Sequence, residues 1–421
     1  MNRFLRHLVL SLLGGIFLCT SVCAQEDDEL LQLRPISKAD SAVVSLEHNR
    51  LVFPAERSQF DSLFCKMRFL REDVHQSLRI LHIGGSHVQA DVFSGRMRSN
   101  LRTFSTLKPL NRGMIFPFAV LGTNGPKDYS CSFTGRWGKS RNIESSPSAP
   151  LGLSGGAVTT SDLSSNITFR GLFPFESILL YGKSLVDTAC VIPVLVIEGD
   201  TIYPPRSSEM SVYEFLLPSP ANAFTLAFVG DSCGSFTVRG MIADPYEPGL
   251  MYTASGINGA AVPSWLRCLE FEQELSFVAP NLVLFAVGIN DANVQNFSPE
   301  KFKSNYRELI SRIQRCNPQC AFLFITNNDC YLRVGRKRVF NPNTALVEQA
   351  FMELAEEYDG AVWNLYQIMG GYKSSARWVK AGLMKSDHVH FTPRGYELIG
   401  DLLYNALLES YLSYTNHTAL K

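Results

Sequence analysis

Apolar residues follow two different rhythms along this chain. In the first and last parts they recur every three or four positions, between short runs that are apolar throughout. Residues 56 to 71, ERSQFDSLFCKMRFLR, place Phe60, Phe64, Met67 and Leu70 on one helical face. LRILHI at 78 to 83 is a short β-rich run that stops at Gly84-Gly85, and helical spacing then resumes with Phe93, Met97, Leu101 and Phe104. That order reads as strand, tight turn, helix.

From about 113 to 248 the texture changes. Gly, Pro and Ser become frequent, and short alternating runs appear: SILLYG, CVIPVLVIEG, AFTLAFVG and SFTVRGM. No amphipathic helix longer than two turns is visible, so the pattern predicts an all-β unit of sandwich type.

After 250 the first rhythm returns. LMYTAS leads to Gly256-Ile257-Asn258-Gly259, and a helix is predicted near 262 to 278. NLVLFAV at 281 to 287 is uniformly apolar after Asn281, as a parallel strand buried on both faces should be. Ser298 and Pro299 supply a cap and a first turn for a helix striped by Phe302, Tyr306, Leu309, Ile310 and Ile313. AFLFIT (321 to 326), a helix near 343 to 357, AVWNLY and a last helix opened by Thr392-Pro393 complete the alternation. Alternating β and α elements imply an α/β domain whose parallel sheet is covered on both faces. Ser86 and Gly259 are 173 residues apart. A βαβ crossover needs only about 30, so an inserted domain explains the excess better than a loop. The predicted division is 1–24, 25–112 (first part of the α/β domain), 113–248 (β-rich insert) and 249–421 (second part).

Composition narrows the class. Apolar content of 46% against 19% charged residues describes a folded chain with a large core. Lys+Arg and Asp+Glu balance at 39 each, which offers no electrostatic case for nucleic acid or an anionic membrane. Residues 1–24 read as a cleaved secretory signal: Arg3, Arg6 and His7, then apolar Leu8 to Leu18, then Val22-Cys23-Ala24 before Gln25. That implies a periplasmic or secreted protein, with no transmembrane span after signal removal. A lipoprotein anchored through Cys19 or Cys23 fits less well, because bulky Leu18 or Val22 precedes the cysteine. Eight cysteines remain after the signal, and Cys316 and Cys320 are spaced to pair across a turn. There is no CxxC pair or His cluster, so neither metal nor cofactor is expected.

Two serines compete for chemistry. Ser232, in FVGDSCGS, satisfies G-x-S-x-G but lies between alternating runs: Phe224, Leu226 and Phe228 before it, Phe236 and Val238 after it. That reads as the turn of a hairpin, with no helix behind it to supply free N–H groups. Ser86, in ILHIGGSHVQAD, stands between a buried strand and an amphipathic helix, where an open α/β sheet places its ligand crevice. Asn290, in VGIND, also ends a buried strand, and its amide is a candidate oxyanion donor or an Asx-turn residue. In SDHVHF, Asp387 and His390 are three apart, so one turn can bring the carboxylate to the imidazole. His388 is the rival base.

In combination, GGSH, INGA, GIND and DHVH, in that order and at predicted strand ends, resemble the four blocks of the SGNH (GDSL-like) hydrolase family. The resemblance covers about 60 to 112 and 250 to 412. It implies a flavodoxin-like parallel sheet, with Ser86 as nucleophile, His390 as base and Asp387 as its orienter. The oxyanion hole would be the Ser86 and Gly259 N–H groups with the Asn290 side chain; Gly256 is a rival for Gly259. One departure stands out: the family usually has Asp, bracing the active-site loops, where this chain has Gly85. GGSHVQAD is also similar to the GDSHTQ version in envelope polysaccharide and peptidoglycan O-acetylesterases, some of which carry a β-sandwich insert. That implies an exported esterase acting on an O-acetylated glycan or peptidoglycan, envelope or dietary, with Trp137, Tyr129 and Tyr181 of the insert as candidates for stacking on sugar rings. A glycan O-acetyltransferase with the same triad, and a catalytically silent glycan-binding envelope protein, are the alternatives. Sugar, acyl group and oligomeric state are not legible.

Overall fold

A computed structural model describes residues 31–184, 191–205, 211–231 and 233–419. The segment read as a signal, Cys190 and Ser232 lie outside the described residues. In chain order the elements are β1 (Leu51–Val52), α1 (Ser58–Glu72), β2 (Ser77–Gly84), α2 (Ser86–Gln89) and α3 (Val92–Leu101). Nine strands follow: β3 (Met114–Ile115), β4 (Ser130–Thr134), β5 (Gly138–Arg141), β6 (Gly156–Thr160), β7 (Asn166–Ser184), β8 (Val191–Ile197), β9 (Asp200–Ile202), β10 (Val212–Gly230) and β11 (Phe236–Ala243). The chain then runs through β12 (Gly249–Gly256), α4 (Val262–Leu266), α5 (Phe271–Val278), β13 (Leu282–Ala286), α6 (Pro299–Cys316) and β14 (Ala321–Ile325). It ends with β15 (Tyr331–Val334), β16 (Lys337–Phe340), α7 (Asn343–Glu357), β17 (Ala361–Trp363), α8 (Leu365–Met369), α9 (Ser375–Lys380) and α10 (Pro393–Ala419). No helix among the described residues is long and apolar enough to cross a membrane.

One six-stranded sheet has the order β1-β17-β14-β13-β2-β12. All its ladders are parallel except that of edge strand β1, which pairs antiparallel with β17. Counted along the chain, the parallel strands lie 2-1-3-4-5, the flavodoxin-like order. Their alternate residues feed two cores. Leu81, Ile83, Val283, Phe285, Phe322 and Phe324 pack on the side of α4 to α7. Ile80, Leu282, Leu284, Leu323, Ile325 and Trp363 pack on the side of α1, α3 and α10. The stripe Phe302, Tyr306, Leu309, Ile310 and Ile313 is buried as its spacing predicts, and the Ser298 hydroxyl caps α6 by accepting from Lys301 N–H at 3.2 Å. The helix expected over 262 to 278 is two helices, α4 and α5.

The alternating middle region is the separate nine-stranded antiparallel sheet. Its two 19-residue strands, β7 and β10, pair along most of their length, with irregularities between Leu216 and Ala223. One half of β7 pairs with β11, the other with β4, while the end of β10 pairs with β8. β7 therefore stands between β10 and β11, and the hairpin expected around Ser232 is not one. The runs on either side of Ser232 alternate because each packs on a shared interior, not because they pair. In a flat sheet, strands two apart are separated by about 9–10 Å. Phe228 of β10 nonetheless meets Phe236 of β11 at 5.2 Å, so the long strands fold the sheet over into two layers. Tyr181 and Tyr129 are part of that interior, and the Tyr129 hydroxyl is committed to the Phe116 backbone. Neither can stack on a sugar. Trp137 is half-buried against Phe228 and donates its Nε1–H to Thr134 O. Cys316 and Cys320 are both free thiols, since each sulfur is oriented to a different backbone carbonyl.

A wholly buried ion pair joins the two units. Arg239 on β11 meets Glu274 on α5, and Glu274 also accepts Leu153 N–H at 2.7 Å. Burial raises the Glu274 pKa against the pull of Arg239. Removing one member of such a pair strands the other in a dry interior. Arg239→Met should therefore lose about 3–5 kcal/mol in urea unfolding, and Arg239→Met with Glu274→Gln should recover part of it. A single-variant loss under about 1 kcal/mol would show that water reaches the pair.

Candidate active site

The site is assembled by strand ends. In the ladders, Gly84 of β2 lies opposite Gly256 of β12 and Ala286 of β13. The residues that follow, Ser86, Gly259 and Asn290, therefore leave the sheet at one edge, beside the point where strand order reverses. The turn requires glycine at 84, where a Cβ would stand 2.1 Å from Val88 Cγ2. Gly256 is likewise a packing glycine, 2.5 Å from Gln89 N by the same measure, which leaves the loop position to Gly259, in left-handed backbone at φ +84°. Gly85 has φ −98° and ψ −136°, outside the left-handed region. A Cβ at 85 would, however, press on Asn290 Nδ2 at 3.3 Å and Ala260 O at 3.4 Å.

The acid and imidazole arrive on a tight turn before α10. Met384 bridges Phe391, and Lys385 N–H donates to His390 O at 2.8 Å. Inside this turn the Asp387 carboxylate accepts from Val389 N–H and His390 N–H, both at 2.9 Å, and meets His390 Nδ1 at 2.8 Å. His390 Nε2 lies 2.9 Å from Ser86 Oγ. Burial works against the Asp387 carboxylate, but the His390 ring and the two N–H groups outweigh it and hold its pKa below the ordinary value. The chain Ser86–His390–Asp387 can pass a proton from hydroxyl to imidazole and stabilise the imidazolium that forms. The rival, His388, is turned elsewhere: its Nδ1 lies 3.1 Å from Ser375 Oγ and its ring stacks on Tyr331.

Asn290 Nδ2 donates to Ala260 O at 2.9 Å, which leaves its second N–H for another acceptor. No protein acceptor receives the Ser86 or Gly259 N–H among the described residues. Three residues that the motifs did not single out hold this arrangement. Gln89 accepts from Asn258 N–H at 2.6 Å and donates to Asn124 O and Thr123 Oγ1, tying the Gly259 loop to the 123–124 loop. His87 packs on His390 with ring centroids 5.7 Å apart, and its Nδ1 meets Tyr396 OH at 2.7 Å. Burial, helped by His390, pushes the His87 pKa down to about 3, so it adds no charge beside the imidazole. Asp291 accepts Val262 N–H at the start of α4 with both oxygens at 3.1 Å. Gln89 and His87 lay in plain view within GGSHVQAD; the partners of Asp291 had no local signal.

Burial raises the Asp291 pKa to about 6, against the Val262 N–H that lowers it. A carboxyl that binds its proton more tightly folded than unfolded contributes stability at low pH, and that contribution is lost as pH rises through about 6. Asp291→Asn should thus gain in melting temperature relative to wild type between about pH 4 and pH 7. A difference that does not change across that window would mean the carboxylate is solvated.

Residues 228–398 match the profile of the GDSL-like Lipase/Acylhydrolase family. The matched stretch opens on the Gly230-Asp231-Ser232 string and contains Gly259, Asn290, Asp387 and His390, while Ser86 lies upstream of it. Ser86 is the serine that meets His390 in the folded chain. No curated protein sequence matches. A solved peptidoglycan O-acetylesterase structure aligns over 86% of this chain and 99% of its own, with TM-score 0.70 and 19% identity. The acetyl xylan esterase AlAXEase aligns over 38% of this chain and 82% of its own, with TM-score 0.31 and 18% identity. A family two carbohydrate esterase from Cellvibrio japonicus aligns over 68% and 99%, with TM-score 0.27 and 8% identity. The parallel sheet with its inserted β domain thus has the SGNH fold, and residues 228–398 carry the match to the GDSL-like lipase/acylhydrolase family.

Proposed function

We propose that the protein is a serine esterase that removes O-acetyl groups from a glycan. The carrying observation is the unbroken contact from Ser86 Oγ through His390 to Asp387, at 2.9 and 2.8 Å. Ser86 Oγ attacks the ester carbonyl while His390 takes its proton. Charge develops on the carbonyl oxygen, where the Ser86 and Gly259 N–H groups and the free Asn290 N–H stabilise it. His390 then returns the proton to the sugar alkoxide, and water releases acetate by the same route. Asp387 keeps the imidazole in the tautomer that leaves Nε2 open to Ser86. The glycan substrate is supported by the full-length fold likeness to a peptidoglycan O-acetylesterase. Export, read from residues 1–24, is part of this proposal.

Two substitutions test the chemistry with an aryl acetate and an acetylated glycan. Ser86→Ala should lower kcat by about 10⁴-fold or more, because the triad acts as a unit. A serine-directed fluorophosphonate should label the Ser86 peptide, and labelling at Ser232 instead would sink the assignment. Asn290→Ala should lower kcat by about 10²- to 10³-fold with little change in KM. An unchanged kcat would leave Asn290 as a bond to Ala260 and nothing more.

A further inference from the structure

The chain as a whole carries no net charge, yet the β15–β16 hairpin, YLRVGRKRVF, holds Arg333, Arg336, Lys337 and Arg338 and no acid. All four are exposed, and none forms an ion pair among the described residues. The register sets Arg333 directly opposite Arg338 and Tyr331 directly opposite Phe340. Residues two apart on a strand share a face, so these four side chains stand on one face of the hairpin. Like charges directly opposite on a ladder are destabilising, and an anion held between them relieves the repulsion.

That face packs on the turn that carries Asp387 and His390. Tyr331 stacks on His388 at 4.0 Å, and His388 stands between Asp387 and His390 in the same turn. Burial lowers the His388 pKa against the pull of Asp329 and Asp387, with a smaller contribution from the Arg338 cation. Beyond Phe340 lies Tyr372, at 5.8 Å and 54% exposed, and the Lys373 ammonium sits over both rings at 6.0 and 5.2 Å. Arg333 Nε donates to Gly335 O at 3.1 Å, and the rest of its fork is open. Aromatic faces next to guanidinium groups that have no carboxylate partner suit a sugar chain with carboxylates: the rings take the apolar faces of the sugars, and the guanidinium groups take the carboxylates.

We propose that this face is a subsite for an anionic glycan, one whose sugars carry carboxylates, running outward from the Ser86 site. It rests on the esterase reading for the place of the reacting sugar. Binding is measured on the Ser86→Ala protein, so that turnover plays no part, with polygalacturonate, its highly methyl-esterified form and phosphatidylglycerol vesicles as probes. Polygalacturonate should bind at least about tenfold tighter than the esterified polymer, with a Kd that rises with salt. Arg333→Gln/Arg338→Gln should lose most of that preference, while Arg333→Lys/Arg338→Lys, which keeps both charges but not the guanidinium forks, should retain part of it. Equal affinity for the two polymers, a preference that survives the glutamine pair, or tighter binding to the vesicles overturns the subsite. Aryl acetate turnover by the wild type reports separately on Ser86: its absence sinks the esterase reading, whereas loss of the polyanion preference sinks the subsite alone.

Discussion

The site depends on the register of three strands. β2 is hydrogen-bonded between β12 and β13, with Gly84 level with Gly256 on one side and Ala286 on the other. A slip of one residue would reverse which face each side chain of β2 meets, sending Leu81 and Ile83 out of one core and Leu78 and Ile80 out of the other. Because both faces are buried, that slip is strongly opposed. The same constraint fixes where Ser86, Gly259 and Asn290 leave the sheet. The functional geometry is therefore a by-product of how the sheet packs, and only the Asp387–His390 turn has to be placed independently.

Much of this was legible because the signals were local or periodic. The Ser298 cap, the stripe from Phe302 to Ile313 and the apolar strand Leu282–Ala286 each state their own environment. Asp387 and His390 were legible for the same reason, since a three-residue spacing closes within one turn. Non-local pairing was not. The runs around Ser232 alternate as a hairpin would, but alternation records only that one face is buried, and it is silent about which strand lies alongside. Tyr129 and Tyr181 went the same way: an aromatic in a β-rich segment suits a binding face or an interior equally, and the folded-over sheet put both inside.

Gly85 shows how a missing brace is replaced. The family's usual Asp would reach from position 85 toward the loops, but here Asn290 and Ala260 O already crowd that position. Gln89, one turn further along, ties the Asn258 backbone to Thr123 and Asn124 instead. Asp291 fixes the start of α4 just beyond Gly259. The loop is held from below and from the side, not through residue 85.

The Gln89 bridge also changes what the insert is. Its joints lie low on the sheet, where Asn111 runs beside Met251 and Gly249 lies opposite Ser77. From there the chain climbs back, so that Leu153 O accepts from Ser255 Oγ and Thr123 and Asn124 meet Gln89 and Asn258 at the rim of the site. An appendage tethered only at its ends would be free to move relative to the sheet. This one is clamped by a buried ion pair on one side and shares hydrogen bonds with the loop that carries Gly259 on the other. A shift of the insert would therefore pull directly on the loop that carries Gly259.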